Sequence, residues 1–394
     1  TSDRQPRLFF KQDAVPFREE MWLMSKNFSF TSESVCAGHP DKICDSISDS
    51  ILDEVLRQDK EGKVAVETLV TANKIVIVGE VSANAKIDYE KIARKRIKDL
   101  GYTDPLLDFT NLSDVEVYIH EQSGEIALGV SKKRKGAGDQ GMMFGYACRE
   151  TKNLMPLPIT MAHRLAEKID QTREKKIIPY LKPDGKTQVT IEYKDGLPYK
   201  VRQVVIAVPH QEKIKLEQVK KDVYKKIVTP ILDEFGFKIK IEDLIVNGTG
   251  IWHFSGPAAD SGLTGRKIIV DTYGGYARVG GGAFSGKDPT KVDRSGAYAA
   301  RFLAKNIVAN KLADKAEVRL AYFIGAKKPT MQEVETFGTE KVSRSAIIDF
   351  MSKMLDTSVT GIIEGLNLRR PIYLKTSTYG HFGRPEFSWE KLVA

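Results

Sequence analysis

The 394 residues suffice for about two or three packed domains of roughly 150 residues each, and the 41% hydrophobic and 29% charged shares are those of a soluble globular protein. Three scattered cysteines, Cys36, Cys44 and Cys148, exclude a disulfide framework or a zinc ribbon, and reduced thiols favour a cytoplasmic protein. No apolar run approaches the ~18 residues of a membrane-spanning helix, and the start lacks a secretory pattern, so we expect no membrane partner.

The net charge of +9 has three interpretations, namely binding of nucleic acid, binding of an anionic substrate, or a lysine-rich surface that only aids solubility. A nucleic-acid surface is typically a basic stripe interleaved with aromatic residues. Here the basic residues are spread along the chain and cluster only at 91–98 and 132–135. We therefore expect no nucleic-acid partner.

The first 26 residues are unlike the remainder, and we predict an N-terminal extension over 1–26, with Met24 as a candidate natural start. Helical spacing of apolar residues then predicts a helix over 41–58. A polar ridge along this helix contains three acidic residues, Asp45, Asp49 and Asp53.

The rest of the chain alternates strand pairs with helices and lacks a strict βαβ rhythm, which predicts an α+β fold of mixed or antiparallel sheets. Apolar periodicity and turn residues define the elements. In chain order we predict strands over 64–70 and 75–81 that form a hairpin, a helix over 86–100, a strand over 115–120, a mobile loop over 124–141, a helix over 161–175, strands over 187–193 and 201–208, a helix over 216–235, strands over 244–247 and 267–271, a helix over 293–311, a strand over 317–324 and a helix over 342–355.

The segment Gly-His-Pro-Asp-Lys at 38–42 places His39, Asp41 and Lys42 at the mouth of the first predicted helix. Helix N-termini favour anions because their unpaired N–H groups point outward. A histidine, a lysine and a magnesium-binding aspartate at this place would suit a phosphate chain. The alternative is a turn in which Asp41 only caps the helix.

A second segment, Gly-Gly-Gly-Ala-Phe-Ser-Gly-Lys-Asp-Pro-Thr-Lys-Val-Asp at 280–293, combines glycines with charges. Its glycines let the backbone approach an anion closely. It is not a Walker P-loop, because Asp288 follows Lys287 where that motif requires Ser or Thr. The alternative is a flexible turn, although the nearby Lys291 and Asp293 argue against it.

Three shorter segments add further charged groups. In 260–267, Arg266 can bridge two phosphate oxygens and Lys267 adds a point charge. The segments 136–141 and 183–186 also contain acidic residues, and the second contains a lysine. Alone, either of these two is typical of a plain loop or turn.

Two carboxylates lie on strand faces that are otherwise apolar. Strand alternation places Glu67 beside Leu69, and Glu80 beside Val78. A carboxylate on such a face is costly unless it is paired or bound to a cation. The alternative is a sheet face that is exposed to solvent.

Together these segments supply what a nucleoside triphosphate requires. Mg²⁺ takes one or two protein carboxylates plus phosphate oxygens. The residues therefore indicate an enzyme that acts on a nucleoside triphosphate, but they do not reveal which bond is broken. The candidate donors are His39, Lys186, Arg266, Lys267 and Lys287, and the candidate metal ligands are Asp41 and Asp293.

The chain resembles the S-adenosylmethionine synthetase (methionine adenosyltransferase) family over about residues 27–392. The resemblance implies three similar α+β domains with mixed sheets around a pseudo-threefold axis, at 27–125, 138–253 and 255–392. It also implies a homotetramer built as a dimer of dimers, with active sites shared across the dimer interface. The segments that support it are TSES at 31–34, GHPDK at 38–42, GAGDQG at 136–141, GLTGRKIIVDTY at 262–273, GGGAFSGKDPTKVDRS at 280–295 and YGHFGR at 379–384.

The resemblance also implies the reaction and the role of each matching residue. The sulfur of L-methionine attacks C5′ of ATP, and the bound triphosphate is hydrolysed to phosphate and diphosphate, with two Mg²⁺ per site and K⁺ as cofactors. The implied ATP and triphosphate contacts are His39, Lys186, Arg266, Lys267, Ala283 and Lys287, with His39, Lys186, Arg266 and Lys287 as the catalytic residues. Asp139 and Asp184 would position the nucleoside, and Trp252, His253 and Asp260 would be further ATP contacts. The methionine contacts would be Glu80, Gln122, Asp260 and Lys291, the Mg²⁺ ligands Asp41 and Asp293, and the K⁺ ligand Glu67.

The sequence departs from the family in two places. Trp252 stands where many members have a Phe that stacks on adenine, so we expect retained binding with altered base selectivity. The loop after Gln122 is shorter than in many relatives and is basic where theirs are often acidic. Residues 123–138 form either a solvated loop or a lid whose basic run at 132–135 draws ATP toward the site.

Another ATP-dependent enzyme, a ligase or a kinase, is the alternative to a synthetase. The two classes differ in their products, because a kinase releases ADP. The synthetase reaction leaves S-adenosylmethionine, diphosphate and phosphate.

Overall fold

The computed structural model describes residues 26–121 and 136–393. The predicted N-terminal extension up to residue 25, the loop over 123–135 and the candidate methionine contact Gln122 lie outside the described residues. Among the helices that are described, none is long and apolar enough to cross a membrane.

The described strands form three sheets, with the strand orders β4-β3-β2-β9, β1-β6-β7-β8 and β11-β10-β5. Two pairs, β3 with β4 and β7 with β8, are parallel, and the other pairs are antiparallel. The predicted α+β class with mixed sheets is therefore confirmed. The strands are β1 (Phe28–Val35), β2 (Lys63–Thr71), β3 (Lys74–Ser82), β4 (Asp114–His120), β5 (Gly141–Cys148), β6 (Lys186–Lys194), β7 (Leu197–Ala207), β8 (Leu244–Val246), β9 (Gly262–Leu263), β10 (Lys315–Tyr322) and β11 (Met331–Glu335).

Each sheet packs against one long helix. Helix α1 covers β2, α3 covers β1 and β6, and α7 covers β5 and β10. Each of the three units therefore leaves one sheet face uncovered by its own long helix. The helices are α1 (Pro40–Gln58), α2 (Tyr89–Asp99), α3 (Leu157–Glu174), α4 (Leu216–Val223), α5 (Thr229–Glu234), α6 (Ile268–Asp271), α7 (Val292–Ala309), α8 (Arg344–Met354) and α9 (Val359–Gly365), with a π-helical turn at Tyr224–Val228.

The three units exchange strands along the chain. Strand β1 precedes α1 but pairs with β6 of the central unit, where Phe28 lies opposite Tyr193. Strand β5 leaves the central stretch of the chain to pair with β10. Strand β9 returns from the last third of the chain to pair with β2, placing Leu263 opposite Leu69. This exchange places loops of the last third directly against α1.

Helix α1 forms where the apolar spacing predicts it. Pro40 occupies the first turn, where its missing N–H has no cost, and His39 caps the helix. Ile43, Ile47 and Ile51 are fully buried in the core that the first and last units share. Full burial of each such side chain contributes about 1.5–3 kcal/mol.

One predicted element has the wrong structure. Ile268–Asp271 form the short helix α6, which begins after Lys267, so the strand predicted over 267–271 is wrong. Lys267 pairs with Asp41 and Asp271 pairs with Lys42, so both must reach neighbouring residues at the start of α1. Four residues of helix advance about 6 Å, whereas four residues of strand advance about 13 Å. Only the helix brings both side chains to adjacent partners.

Other differences concern interruptions and weak patterns. The helix predicted over 216–235 contains the π-helical turn at Tyr224–Val228, just before Pro230. Pro230 lacks an N–H and its ring conflicts with a regular preceding turn, which explains the local change. The sequence prediction lacks the strands β1, β5, β9 and β11 and the helix α9.

Candidate active site

Helix α1 presents four aspartates at four-residue intervals on one face. This set, Asp41, Asp45, Asp49 and Asp53, is called the aspartate ladder below. All four side chains are buried, although a polar ridge on a helix is more often solvated. The ladder accepts backbone N–H groups from the last third of the chain. The contacts are Leu263 N to Asp41 (3.0 Å), Gly265 N to Asp45 (2.9 Å), Gly286 N to Asp49 (2.9 Å), and Tyr373 N and Leu374 N to Asp53 (2.8 and 2.9 Å).

His39 lies at the N-terminus of α1 and is buried. Its Nδ1 accepts a hydrogen bond from Asp41 N at 3.2 Å, which leaves the proton on Nε2. Burial, with help from the charges of Lys267 and Lys186, lowers the pKa of His39 to about 3. At neutral pH the ring is therefore an uncharged hydrogen-bond donor.

Asp41 binds two cations of the segment 260–267. Its carboxylate forms an ion pair with Lys267 and lies 3.7 Å from Nε of Arg266. Burial alone would raise the pKa of Asp41, but the hydrogen bonds from Lys267 and Leu263 N outweigh it and hold the pKa below its usual value. The Arg266 side chain is half exposed, so this cation remains available to a ligand.

Lys42 does not join this cluster. Its Nζ donates to Asp45 Oδ2 at 2.8 Å and to Asp271 Oδ1 at 2.5 Å, and the side chain is almost completely buried. Burial opposes the charge on Lys42, but the two carboxylates outweigh it and raise the pKa of the amine. The interpretation of Lys42 as a phosphate-binding cation is therefore wrong, because the residue connects α1 to α6.

A second cation–carboxylate pair lies in the segment 280–293. Lys287 Nζ donates to Asp293 Oδ2 at 2.6 Å. Burial raises the pKa of Asp293, and the negative charge of the adjacent Asp139 adds to the increase. Gly282 lies against this carboxylate, because a Cβ at that position would overlap it. The structure thus brings Asp139, Lys287 and Asp293 together.

The two cationic segments contact each other as well as α1. Gly265 has φ +79°, and a Cβ there would collide with Ala283. The backbone of Lys287 forms a bridge with Ala65 on β2. The segments 260–267 and 280–293 are therefore adjacent.

Lys291 has a partner within its own turn. Its Nζ donates to Asp288 Oδ2 at 2.6 Å, and both side chains are buried. Burial would raise the pKa of Asp288, but Lys291 and Lys63 lower it to about 2. A ligand that binds Lys291 must compete with this carboxylate.

The candidate nucleoside residues lie on loops of the central stretch. Asp184 is buried and accepts hydrogen bonds from Gly185 N (2.7 Å) and Gly256 N (3.1 Å), and burial raises its pKa to about 6. Lys186 is exposed at the start of β6, close enough to His39 to lower the pKa of that ring. Asp260 is exposed and lies four residues after Gly256, whose N–H is bound by Asp184.

Trp252 and His253 lie on a loop with its own hydrogen bonds. The indole Nε1 of Trp252 donates to the carbonyl of Phe254 at 3.0 Å. His253 Nδ1 lies 3.1 Å from the carbonyl of His210, and the two imidazole rings pack with centroids 4.8 Å apart. Lys182 donates to the carbonyl of His253 at 2.5 Å. The indole N–H thus has a hydrogen-bond partner within its own loop.

Glu67 and Glu80 lie on the open face of the sheet that contains β2 and β3. Glu67 is exposed opposite Val78, and Glu80 is partly exposed opposite Ala65. This face points away from α1, so the two carboxylates belong to a different surface from the aspartate ladder. Their exposure agrees with the alternative of an open sheet face.

Two residues near the site have no role in the sequence prediction. Tyr102 donates from its hydroxyl to the carbonyl of Gly38 at 2.6 Å. Arg294 forms a two-point ion pair with Asp49 (2.7 and 2.8 Å) and donates to the carbonyl of Lys287 at 3.2 Å. The sequence does contain a signal for Arg294, because this arginine lies in a helix whose residues are mostly apolar.

The donor set fits divalent metal ions that are shared with a phosphate chain. Among residues 26–121 and 136–393, no group of three or more His, Cys, Asp or Glu side chains could hold a metal ion by itself. Mg²⁺ is usually bound by one or two carboxylates plus substrate phosphates. Asp41 and Asp293 each offer one carboxylate beside a lysine, which fits that mode.

Comparison with known proteins decides the family. Models of the S-adenosylmethionine synthetase N-terminal, central and C-terminal domains match residues 27–124, 134–252 and 254–391. The chain belongs to the S-adenosylmethionine synthetase family. The resemblance based on motifs is thereby confirmed, together with the three-domain organisation.

Several members of the S-adenosylmethionine synthetase family are similar along nearly their whole length. The S-adenosylmethionine synthase of Brachyspira hyodysenteriae is 50% identical over 380 residues, covering 93% of this chain and 96% of the relative. The S-adenosylmethionine synthases of Clostridium tetani and Sulfurovum sp. are each 48% identical, over 378 and 374 residues. These alignments cover 92% and 94% of this chain, and 96% and 97% of the relatives. The similarity does not favour a ligase or a kinase.

Proposed function

We propose that this chain makes S-adenosylmethionine from ATP, L-methionine and water, releasing phosphate and diphosphate. Membership of the S-adenosylmethionine synthetase family makes it a methionine adenosyltransferase. The observation that supports this most directly is the pair of cation–carboxylate clusters, Lys267 with Asp41 and Lys287 with Asp293. Backbone hydrogen bonds to α1 hold both segments that contain these lysines.

The attack by the methionine sulfur requires little assistance from the protein. The thioether sulfur is neutral and needs no base, so the protein must only align it with C5′ of ATP. Proximity and orientation can supply about 7–11 kcal/mol of the barrier. The positive groups that the described residues place in the site agree with a reaction that depends on its leaving group.

The leaving triphosphate needs the larger stabilisation. We propose that His39, Lys186, Arg266 and Lys287 are the catalytic residues and donate to the triphosphate together with Lys267. The neutral His39 donates through Nε2, since its Nδ1 is engaged. Loss of one such preorganised donor typically costs about 2.7–4 kcal/mol.

Asp41 and Asp293 are the proposed ligands of two Mg²⁺ ions, which would neutralise charge on the triphosphate when bound. Each carboxylate pairs with a lysine in this structure. With a metal ion bound to the carboxylate, the ammonium group of Lys267 or Lys287 would be available for phosphate oxygens. The same two pairs thus supply both the metal ligands and the phosphate donors.

The remaining substrate contacts follow from the family by position. Asp139, Asp184, Trp252, His253, Asp260 and Ala283 are the proposed contacts of the nucleoside and the α-phosphate side of ATP. For methionine the proposed contacts are Glu80, Gln122, Asp260 and Lys291, and Lys291 must first leave Asp288. Glu67 is the proposed ligand of K⁺.

The open sheet face supports a proposed dimer. Leu69, Tyr118 and Leu263 are exposed on the strands around Glu67 and Glu80. Apolar groups on such a face are typical of a surface that a partner covers. We propose that a second copy covers this face, that active sites are shared across it, and that two dimers form a cytoplasmic tetramer.

Product analysis tests the proposed function. The chain is incubated with ATP, methionine, Mg²⁺ and K⁺, and the products are identified by mass spectrometry and phosphate assays. S-adenosylmethionine, diphosphate and phosphate in equal amounts are expected. Formation of ADP would instead support a kinase, and AMP with diphosphate alone would support a ligase.

A further inference from the structure

The aspartate ladder spans both cationic segments of the proposed site. Asp45 accepts Gly265 N, which immediately precedes Arg266 and Lys267. Asp49 accepts Gly286 N, which immediately precedes Lys287. Since four residues of helix rise about 6 Å, these two contacts fix the axial offset between the segments at about that value.

Each of the two middle aspartates is itself held by a buried cation. Lys42 Nζ lies 2.8 Å from Asp45. Arg294 binds Asp49 with two hydrogen bonds and also donates to the carbonyl of Lys287. The backbone of Gly286 and Lys287 is therefore held at the Gly286 N–H by Asp49 and at the Lys287 carbonyl by Arg294.

The remaining donors of Arg294 are also engaged. Nε donates to the Tyr298 hydroxyl at 3.0 Å, and the second terminal nitrogen donates to Thr376 Oγ1 at 2.8 Å. The guanidinium is completely buried. Because all its donors are satisfied, the guanidinium of Arg294 has one orientation. Its hydrogen bond to the Lys287 carbonyl then fixes the backbone of Lys287.

We propose that Asp45 and Asp49 are positioning residues, which set the separation between Arg266–Lys267 and Lys287 so that both reach one triphosphate chain. This role rests on the proposed function. Neither carboxylate is exposed, so each acts on a substrate only through the segment that it holds.

Asp53 provides a matched control within the same ladder. It accepts two backbone N–H groups as well, but from Tyr373 and Leu374, which belong to neither cationic segment. In Asp45→Asn, Asp49→Asn and Asp53→Asn, an amide replaces a carboxylate whose two oxygens both accept hydrogen bonds. All three substitutions should therefore lower the Tm, whereas only the first two should displace cations.

The test measures the Kd for inorganic triphosphate with Mg²⁺ by calorimetry, kcat for S-adenosylmethionine formation, and the Tm of each full-length variant. Asp45→Asn and Asp49→Asn should weaken triphosphate binding and lower kcat by up to about 10²-fold, the cost of a displacement near 1 Å. Asp53→Asn should bind triphosphate like the parent despite its lower Tm. Arg294→Lys keeps the buried charge pair but loses the bond to the Lys287 carbonyl, and it replaces Asp49→Asn if that variant does not fold.

Three outcomes separate the ideas. Triphosphate binding that weakens equally in Asp53→Asn would overturn the positioning role and leave general destabilisation. The positioning role would also be overturned if folded Asp45→Asn bound triphosphate and turned over like the parent, and if Asp49→Asn, or Arg294→Lys in its place, did the same. A parent chain that binds triphosphate but makes no S-adenosylmethionine would refute the proposed function while leaving the ladder open to the binding test.

Discussion

Lys42 and Asp271 meet with Nζ and Oδ1 2.5 Å apart, although 229 residues separate them in sequence and both side chains are almost completely buried. Asp45 shares the same ammonium group at 2.8 Å. The pair ties the first turn of α1 to the end of α6, so it holds the two segments that contribute Asp41 and Lys267 to the site.

Removal of this cation should destabilise the fold strongly. Lys42→Met leaves the carboxylates of Asp45 and Asp271 buried without a counter-charge, and breaking a buried pair typically costs about 3–5 kcal/mol. Urea unfolding at pH 7 measures the change. Lys74→Met is the control, because the pair of Lys74 with Glu116 is exposed and such surface pairs contribute little to stability. Equal losses in the two variants would contradict a special role for Lys42.

His163 should make stability depend on pH. Its ring is buried with Nδ1 2.8 Å from Ser34 Oγ, and burial lowers the pKa of His163 to about 3. The unfolded chain binds a proton near pH 6.5, whereas the folded chain does not, so His163 reduces the free energy of unfolding as pH falls from about 6.5 toward 3, by up to about 1.4 kcal/mol per pH unit.

In the His163→Gln variant this contribution is absent. The variant should be less stable than the parent at pH 7, and the difference should shrink as the pH is lowered to about 5. Urea unfolding at several pH values measures the slope. His120→Gln, at the exposed end of β4, is the control for the loss of one histidine. A His163→Gln slope equal to that of the parent would show that the ring titrates normally.

Gly282 should be essential where Gly281 is not. A Cβ at 282 would overlap the carboxylate of Asp293, so Gly282→Ala should displace this proposed metal ligand and lower kcat on the order of 10²-fold. A Cβ at 281 meets nothing within 4 Å, so Gly281→Ala should keep parental activity. Steady-state kinetics over a range of Mg²⁺ concentrations measure both. Equal activity of the two variants would exclude the contact at 282 as a constraint.

Glu67 should determine the response to K⁺. The side chain is exposed on the open face of β2, so Glu67→Gln should leave the Tm close to that of the parent while activation by K⁺ weakens. Glu116→Gln, on strand β4 of the same sheet, controls for the loss of one charge near this face. Activation that is unchanged in Glu67→Gln would place the K⁺ site elsewhere.

Local apolar patterns predicted the helices and strands that bury one face against the core. Helix α1 and the hairpin of β2 and β3 have clear apolar periodicity, and their observed bounds lie within about one or two residues of the prediction. Strand β1 escaped prediction because Ser, Thr and Glu fill most of its positions. Residues 267–271 were predicted wrongly because the structure there follows from ion pairs with α1 and not from local propensity.

The candidate site shows the same division. Residue types in the motifs pointed to Asp41, Lys267, Lys287 and Asp293 as a charged cluster, and the structure pairs them. The burial of the aspartate ladder could not be predicted, since a charged ridge is usually solvated and the partners of Asp49 and Asp53 lie hundreds of residues away. Lys42 and Arg294 owe their roles to those same distant contacts.

The exchange of strands among the three units has a consequence for synthesis on the ribosome. The sheet of the first unit is complete only when β9 has emerged, about 190 residues after the end of β2. At ~5–20 residues per second this wait lasts roughly 10–40 s. During that time β2 has an unpaired edge, and the aspartate ladder of α1 lacks the backbone N–H groups that it accepts from the last third of the chain. The nascent chain therefore needs protection until its last third arrives, and fragments that end before residue 262 should not accumulate as folded protein.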